Sequence, residues 1–226
     1  VAVTETAAPV APTTTAFDIC EGDIVTLTDL NASLSDVTLG GTWVTPLAGA
    51  GIYTYTIDGG VCDDAVVTVA VTETAAPVAP TATAFDICVG SFVTEALLDA
   101  SLSDAGLSGG TWTPTITGTS GAGIYTYTID GGVCGDAVVT VAVTETAAPV
   151  APTATAFDIC EGDIVTLAQL NTSLSDATLG GTWVTPLAGA GTYIYTIDGG
   201  VCGDASVTVA VTETAAPVAP TTTAFD

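Results

Sequence analysis

The stretch VAVTETAAPVAPT occupies Val1–Thr13 and recurs at Val69–Thr81, Val141–Thr153 and Val209–Thr221. Successive copies start 68, 72 and 68 residues apart. A period of this size, sought before any local pattern, marks a tandem array of structural units. In each copy a run rich in β-branched residues, which favour strands, ends in a Thr/Ala/Pro tract that leads into AFD. The expectation is that the last strand of one unit continues into the first strand of the next. The chain then divides into the end strand of a preceding repeat at 1–8, repeats at 9–76, 77–148 and 149–216, and the start of a fourth at 217–226. Beginning at Val1 and stopping inside a repeat at Asp226 is what a segment of a longer or processed chain is expected to do.

Composition removes whole classes of function. The 226 residues include 25 Asp and Glu but no Lys, Arg or His, for a net charge of −25. A surface without cations cannot neutralise phosphates, so nucleic acid is not an expected partner. An anionic membrane surface would repel the chain. No side-chain salt bridge can form, which leaves apolar burial, strand pairing, disulfides or bound cations to provide cohesion. A hydrophobic fraction of 48% separates the sequence from disordered acidic segments. Glu, Asp, Pro or Thr/Gly clusters interrupt every apolar run, so membrane insertion of this segment is not expected.

Six cysteines fall two to a repeat: Cys20 and Cys62, Cys88 and Cys134, Cys160 and Cys202. None has CxxC spacing and no His accompanies them, which argues against zinc and thioredoxin-type chemistry. One disulfide within each repeat is expected, formed in an oxidising, extracellular setting, with free buried thiols as the alternative. Units this short bury a marginal core. Closing a loop of about 43 residues adds roughly 4 kcal/mol on a chain-entropy account.

Along the first repeat, Phe17 and Ile19 alternate with Asp18 and Cys20, the period of a half-buried strand. Glu21-Gly22-Asp23 reads as a turn and Ile24–Leu27 as a short strand. Leu27, Leu30 and Leu34 then follow at helical spacing, predicting one helical turn over an end of the core. Gly40-Gly41 punctuates before a strand at Thr42–Val44. Ile52–Ile57 is the clearest strand, Asp58-Gly59-Gly60 a turn, and Ala65–Thr72 the final strand. Extra residues in the second copy, around Thr115–Gly121, belong on a surface loop. Many short strands, Gly-rich turns and no long helix indicate an all-β protein built of β-sandwiches.

The order Cys20-Glu21-Gly22, Gly40-Gly41-Thr42-Trp43, Ala50-Gly51-Ile52-Tyr53-Thr54-Tyr55-Thr56, Cys62 and Asp64-Ala65 recurs from Cys88 and from Cys160. It resembles the immunoglobulin-like repeats of very large surface adhesins and filament proteins secreted by Bacteroidetes. The resemblance implies tandem immunoglobulin-like β-sandwich repeats with one disulfide each. The second cysteine lies after the Tyr-rich strand, so the expected bridge staples the early strand to the start of the last one. Trp43, Trp112 and Trp183 are expected in the core, since sugar stacking would need an exposed ring.

Catalysis is not expected, because no His or Lys is available to activate a nucleophile. Calcium is the one candidate cofactor. A Cys20–Cys62 bond would bring Asp18, Glu21 and Asp23 near Asp63 and Asp64, an oxygen-rich cluster suited to a hard cation. The second copy has Val89, Ser91 and Gly135 at three of these places. Asn31-Ala32-Ser33 and Asn171-Thr172-Ser173 fit a glycosylation sequon that Asp99 breaks in the second copy; they are read as turn residues. The junction TAAPVAPT has two prolines and no glycine, favouring an extended, semi-rigid path. Equivalent 68-residue stretches from the first and third repeats differ at nine positions, which suits a spacer of repeated geometry. The expected function is therefore a structural segment of an extracellular filament or adhesin stalk at a bacterial surface. Its expected partners are neighbouring repeats and identical chains in a filament; a calcium- or glycan-binding adhesion module is the alternative.

Overall fold

A computed structural model describes residues 1–103, 109–184 and 186–218. Most of the fourth repeat expected at 217–226 lies outside the described residues. Repeat 1 comprises β1 (Phe17–Cys20), α1 (Leu27–Ala32), β2 (Thr42–Trp43), β3 (Gly51–Ile57) and β4 (Ala65–Thr74). Repeat 2 follows with β5 (Phe85–Cys88), α2 (Glu95–Ala100), β6 (Gly110–Thr113), β7 (Gly123–Ile129), a 3-10 turn at Gly132–Cys134 and β8 (Ala137–Thr146). Repeat 3 contains β9 (Phe157–Cys160), α3 (Leu167–Thr172), β10 (Thr182–Trp183), β11 (Gly191–Ile197), a 3-10 turn at Gly200–Cys202 and β12 (Ala205–Thr214).

Each repeat forms one four-stranded sheet, in the orders β1-β4-β3-β2, β5-β8-β7-β6 and β9-β12-β11-β10. The long pair β3–β4 is antiparallel, with Tyr53 opposite Val69 and Tyr55 opposite Val67. The first strand runs parallel to the last: Phe17 pairs with Val71 and Cys20 with Thr74. Period-2 patterning decides the faces. Tyr53, Tyr55 and Ile57 point inward from β3, while Ile52 is 75% exposed. Val69 and Val71 join Tyr53, Val25 and Leu30 in the core, with Phe17, Ile19, Trp43 and Leu47 packed around them.

The layer facing the sheet is slight. It consists of the short helix and of residues 13–15, which pair antiparallel with 33–35 around the Thr14–Leu34 bridge. The same bridge joins Ala82 to Leu102 and Ala154 to Leu174. The expected strand at Ile24–Leu27 does not form. Val25 is held by one backbone bond, its N–H donating to Ala48 O at 2.8 Å, and its side chain is buried. Thr26 is drawn into capping α1: its hydroxyl accepts from Asp29 N–H, and its N–H donates to Asp29 Oδ2 at 2.9 Å. Leu30 and Leu34 face inward as expected, but Leu27 is half exposed.

The chain forms two compact units that do not follow the repeat boundaries. One comprises Val1–Thr83, Glu95–Ile116 and Ile124–Val141; the other comprises Ala84–Thr94, Thr117–Gly123 and Ala142–Asp226. Repeat 1 with its sheet lies in the first, and repeat 3 with its sheet in the second. Repeat 2 contributes to both.

Candidate functional site: the cysteine joint

The parallel first strand controls the cysteines. Running alongside β4, β1 delivers Cys20 to Thr74, at the exit end of β4. Cys62 sits in the turn before Ala65, at the entry end of that strand. A ten-residue strand is roughly 33 Å long, whereas disulfide-bonded Cα atoms lie within about 7 Å. The two cysteines of one repeat therefore cannot meet.

The structure pairs Cys20 with Cys134, at a Cα separation of 4.7 Å, and Cys88 with Cys202, at 4.9 Å. Each bond joins the first cysteine of one repeat to the second cysteine of the next. The expected bridges Cys20–Cys62, Cys88–Cys134 and Cys160–Cys202 are corrected accordingly. Cys62 and Cys160 are free thiols, and each described disulfide lies wholly within one compact unit.

A shared carbonyl marks the joint. Thr74 O, the last of β4, accepts from Glu21 N–H at 2.9 Å and lies 3.1 Å from Cys134 Sγ. Thr146 O accepts from Val89 N–H at 2.9 Å and lies 3.2 Å from Cys202 Sγ. The second cysteine is presented by a tight turn in which Cys134 N–H donates to Gly131 O, and Cys202 N–H to Gly199 O, both at 2.9 Å. Glycine is required there: a Cβ on Gly131 would meet Gly135 O at 1.6 Å and Pro77 Cδ at 3.0 Å. Pro77 belongs to the junction, so the Pro-rich tract and the cysteine turn pack as one joint.

Once the bridge moves, the five calcium candidates lose the bond that was to gather them. Asp18 Oδ1 accepts from the hydroxyl of Thr72, its neighbour in the sheet register. Asp64 Oδ1 accepts from Gly59 N–H at 3.0 Å, ordering the Cys62 turn. Glu21 and Asp23 contribute backbone N–H groups, to Thr74 O and Cys20 O. Asp63 borders the same turn through its backbone, 2.3 Å from where a Gly59 Cβ would stand. Among the described residues, no group of three or more His, Cys, Asp or Glu side chains is placed to hold a metal.

The tryptophans are structural. Trp112 is buried, and Trp43 and Trp183 are half-buried. Each ring packs against a core tyrosine, with centroids 5.0 Å apart for Trp43–Tyr55 and Trp112–Tyr127, and 5.1 Å for Trp183–Tyr195. The indole N–H groups of Trp43 and Trp183 donate to Asn31 Oδ1 and Asn171 Oδ1 at 3.0 and 2.9 Å; that of Trp112 donates to Asp99 Oδ1 at 3.0 Å. The sequon asparagines thus serve as acceptors, a role that Asp fills equally well. That explains why the triplet breaks in repeat 2 without structural change.

Acidic side chains are spent on turns and caps. The Thr26 hydroxyl and then its backbone N–H hold the Asp29 carboxyl below the usual carboxylate range, while slight desolvation opposes them. Thr38 does the same for Asp36, and Thr178 for Asp176.

No protein-family model and no curated protein matches the chain. Solved structures align over most of it with low similarity. A three-domain fragment of titin has 10% identity and a TM-score of 0.36, covering 92% of this chain and 96% of its own. The sialic-acid-binding region of a Streptococcus sanguinis adhesin has 11% identity and a TM-score of 0.25, covering 93% and 68%. The insect immune protein hemolin has 13% identity and a TM-score of 0.23, covering 76% and 57%.

Proposed function

We propose that this chain is a structural segment of an extracellular filament or adhesin stalk at a bacterial surface. The observation that carries this reading is the disulfide pattern, which ties the first cysteines of repeats 1 and 2 to the second cysteine of the following repeat. A bridge inside a domain would stabilise that domain alone. A bridge to the next repeat also makes the joint covalent twice over, once through the backbone and once through sulfur. Disulfides of this kind suit an oxidising, extracytoplasmic compartment. Side chains elsewhere serve the fold, with tryptophans packed on tyrosines and carboxylates on caps and turns. The charge of −25 keeps such an array soluble through self-repulsion. Electron microscopy of the native material, resolving single domains, tests the reading. Thin fibres beaded at one repeat per bead are expected. Compact particles, or short rods capped by a bound partner, would replace it with an adhesion-module function.

A further inference from the structure

Repeats 1 and 3 differ at nine of 68 equivalent positions, and three of those nine fall together on the short helix. Thr28, Asp29 and Ala32 of repeat 1 are Ala168, Gln169 and Thr172 in repeat 3. These helix residues border a groove whose other wall is the segment entering the first strand, with Ala156 and Phe157. Backbone pairing anchors that segment: Thr155 N–H donates to Ser173 O at 2.8 Å, and Ser175 N–H to Thr153 O at 2.9 Å. In repeat 1 the groove has a volume of about 270 Å³ and is lined by the Asp29 carboxylate. In repeat 3 the volume is about 460 Å³, and among the described residues no carboxylate lines it. Small-molecule sites begin at roughly 300 Å³.

The polar atoms of the repeat 3 groove have set hydrogen-bonding directions. Gln169 Oε1 accepts from Thr166 N–H at 2.9 Å and from the Thr166 hydroxyl at 2.8 Å. The cap thus orients the amide and leaves both N–H donors of its NH2 to give. The Thr172 hydroxyl donates to Ala168 O at 2.8 Å and the Ser173 hydroxyl to Leu170 O at 2.7 Å, so their oxygens remain as acceptors. Ala156, Ala168 and the half-buried Phe157 ring supply the apolar part of the lining. Donors, acceptors and apolar surface without charge complement a sugar ring, whose hydroxyls donate and accept and whose C–H face is apolar. Charge narrows the class further. With 25 acids and no Lys, Arg or His, the chain repels an anionic sugar. A cation would favour Asp29 in repeat 1 over this neutral groove.

We infer that the groove between α3 and residues 155–157 binds an uncharged hexopyranose of a neutral glycan. Gln169 NH2 donates to ring hydroxyls, Thr172 and Ser173 accept from them, and Phe157 lies against the C–H face. Repeat 1 keeps the framework without the site, because its Asp29 has no donor to offer and accepts from Thr26. Repeat 2 has Leu97 at this place. A groove this open binds weakly, with a dissociation constant on the order of 1 mM. The site adds a binding activity to the structural reading and does not rest on it.

The test titrates the ¹⁵N-labelled, oxidised chain with the methyl glycosides of glucose, galactose and mannose, followed by NMR. The methyl glycoside of glucuronic acid, of like shape but charged, is the control. Gln169 is the sole glutamine, so its side-chain NH2 signals are identified by their loss in Q169D. Saturable shifts of those signals and of the Phe157 and Ser173 amides are expected with at least one neutral glycoside and not with the glucuronide. Q169D and A168T copy residues with which repeat 1 already folds, and Q169D keeps the reciprocal cap. Each should weaken binding about tenfold. Conversely, T28A/D29Q/A32T should create a second site, read at the Phe17 and Ser33 amides, which a merely structural role for the glutamine would not do. No shift with any of the three neutral glycosides overturns the inference. So do equal shifts of the repeat 1 amides in the unsubstituted chain, unchanged binding by Q169D, or equal binding of the glucuronide. Microscopy of fibre shape is unaffected by any of these outcomes, so failure of the site is distinguishable from failure of the filament reading.

Discussion

At Gly41 an added Cβ would stand 2.6 Å from Cζ of Tyr55 and 2.7 Å from Thr56 O. The neighbouring Gly41 N–H donates to the Tyr55 hydroxyl at 2.8 Å. The Gly-Gly-Thr-Trp motif is thus a fit between a bare backbone and a buried ring that also stacks on Trp43. Gly40 turns the chain with a φ of 74°, and Gly41 lets the ring approach. G41A is expected to destabilise repeat 1 by about 1–3 kcal/mol, the cost of overpacking. G51A serves as control, because nothing lies within 4 Å of its Cβ position and its φ is not positive. Urea denaturation followed by tryptophan fluorescence checks the pair; equal midpoints for the two variants would refute the packing account. Much of this site was legible in sequence as Gly-Gly, Trp and paired Tyr, but the atom each glycine faces was not.

Among the elements, the helices are too short to stand on propensity and depend on their caps. Thr26 with Asp29, and Thr166 with Gln169, form the same reciprocal box. Only the Asp version titrates. Its carboxyl is held below the ordinary range by Thr26, so its contribution is complete above the unfolded-state value, about pH 4, and fades as pH falls through the folded value. D29Q, which copies repeat 3, should match wild type at pH 7 and lose less stability on acidification. Urea midpoints at pH 7 and near pH 2.5 check this; identical acid losses in both proteins would exclude the cap as a source. Within the strands, alternation puts Tyr53, Tyr55, Val69 and Val71 on the buried face. The direction of β1 is different, since a four-residue strand carries the same alternation whether parallel or antiparallel.

For the whole molecule, that direction sets the covalent connectivity. The loops closed by Cys20–Cys134 and Cys88–Cys202 overlap across residues 88–134. The shortest covalent path from Val1 to Asp226 passes through both bridges, with only the overlap between them. Even fully unfolded, the oxidised chain should extend to less than half the length of the reduced one, at roughly 3.5 Å per residue. Single-molecule pulling with and without reductant measures this directly. Equal contour lengths in the two conditions would mean the bridges do not form as described. Residues 21–87 and 135–201 are thereby bypassed by a bridge, whereas the overlap at 88–134 stays in the loaded path.

The sequence by itself determined the repeat period and the all-β composition, because these depend on local spacing and residue type; the capping role of Thr26, read from sequence as part of a strand, emerged only in the structure. The sequence also supplied all six cysteines and the oxidising setting they imply. Which cysteine meets which was decided only in three dimensions. Pairing depends on which end of a ten-residue strand each sulfur reaches, and that follows from the parallel docking of β1 on β4, a contact between segments 54 residues apart. The calcium cluster was inferred from the wrong pairing and so lost its geometric basis with it. One parallel strand thus turned three expected self-contained domains into a chain of interlinked ones.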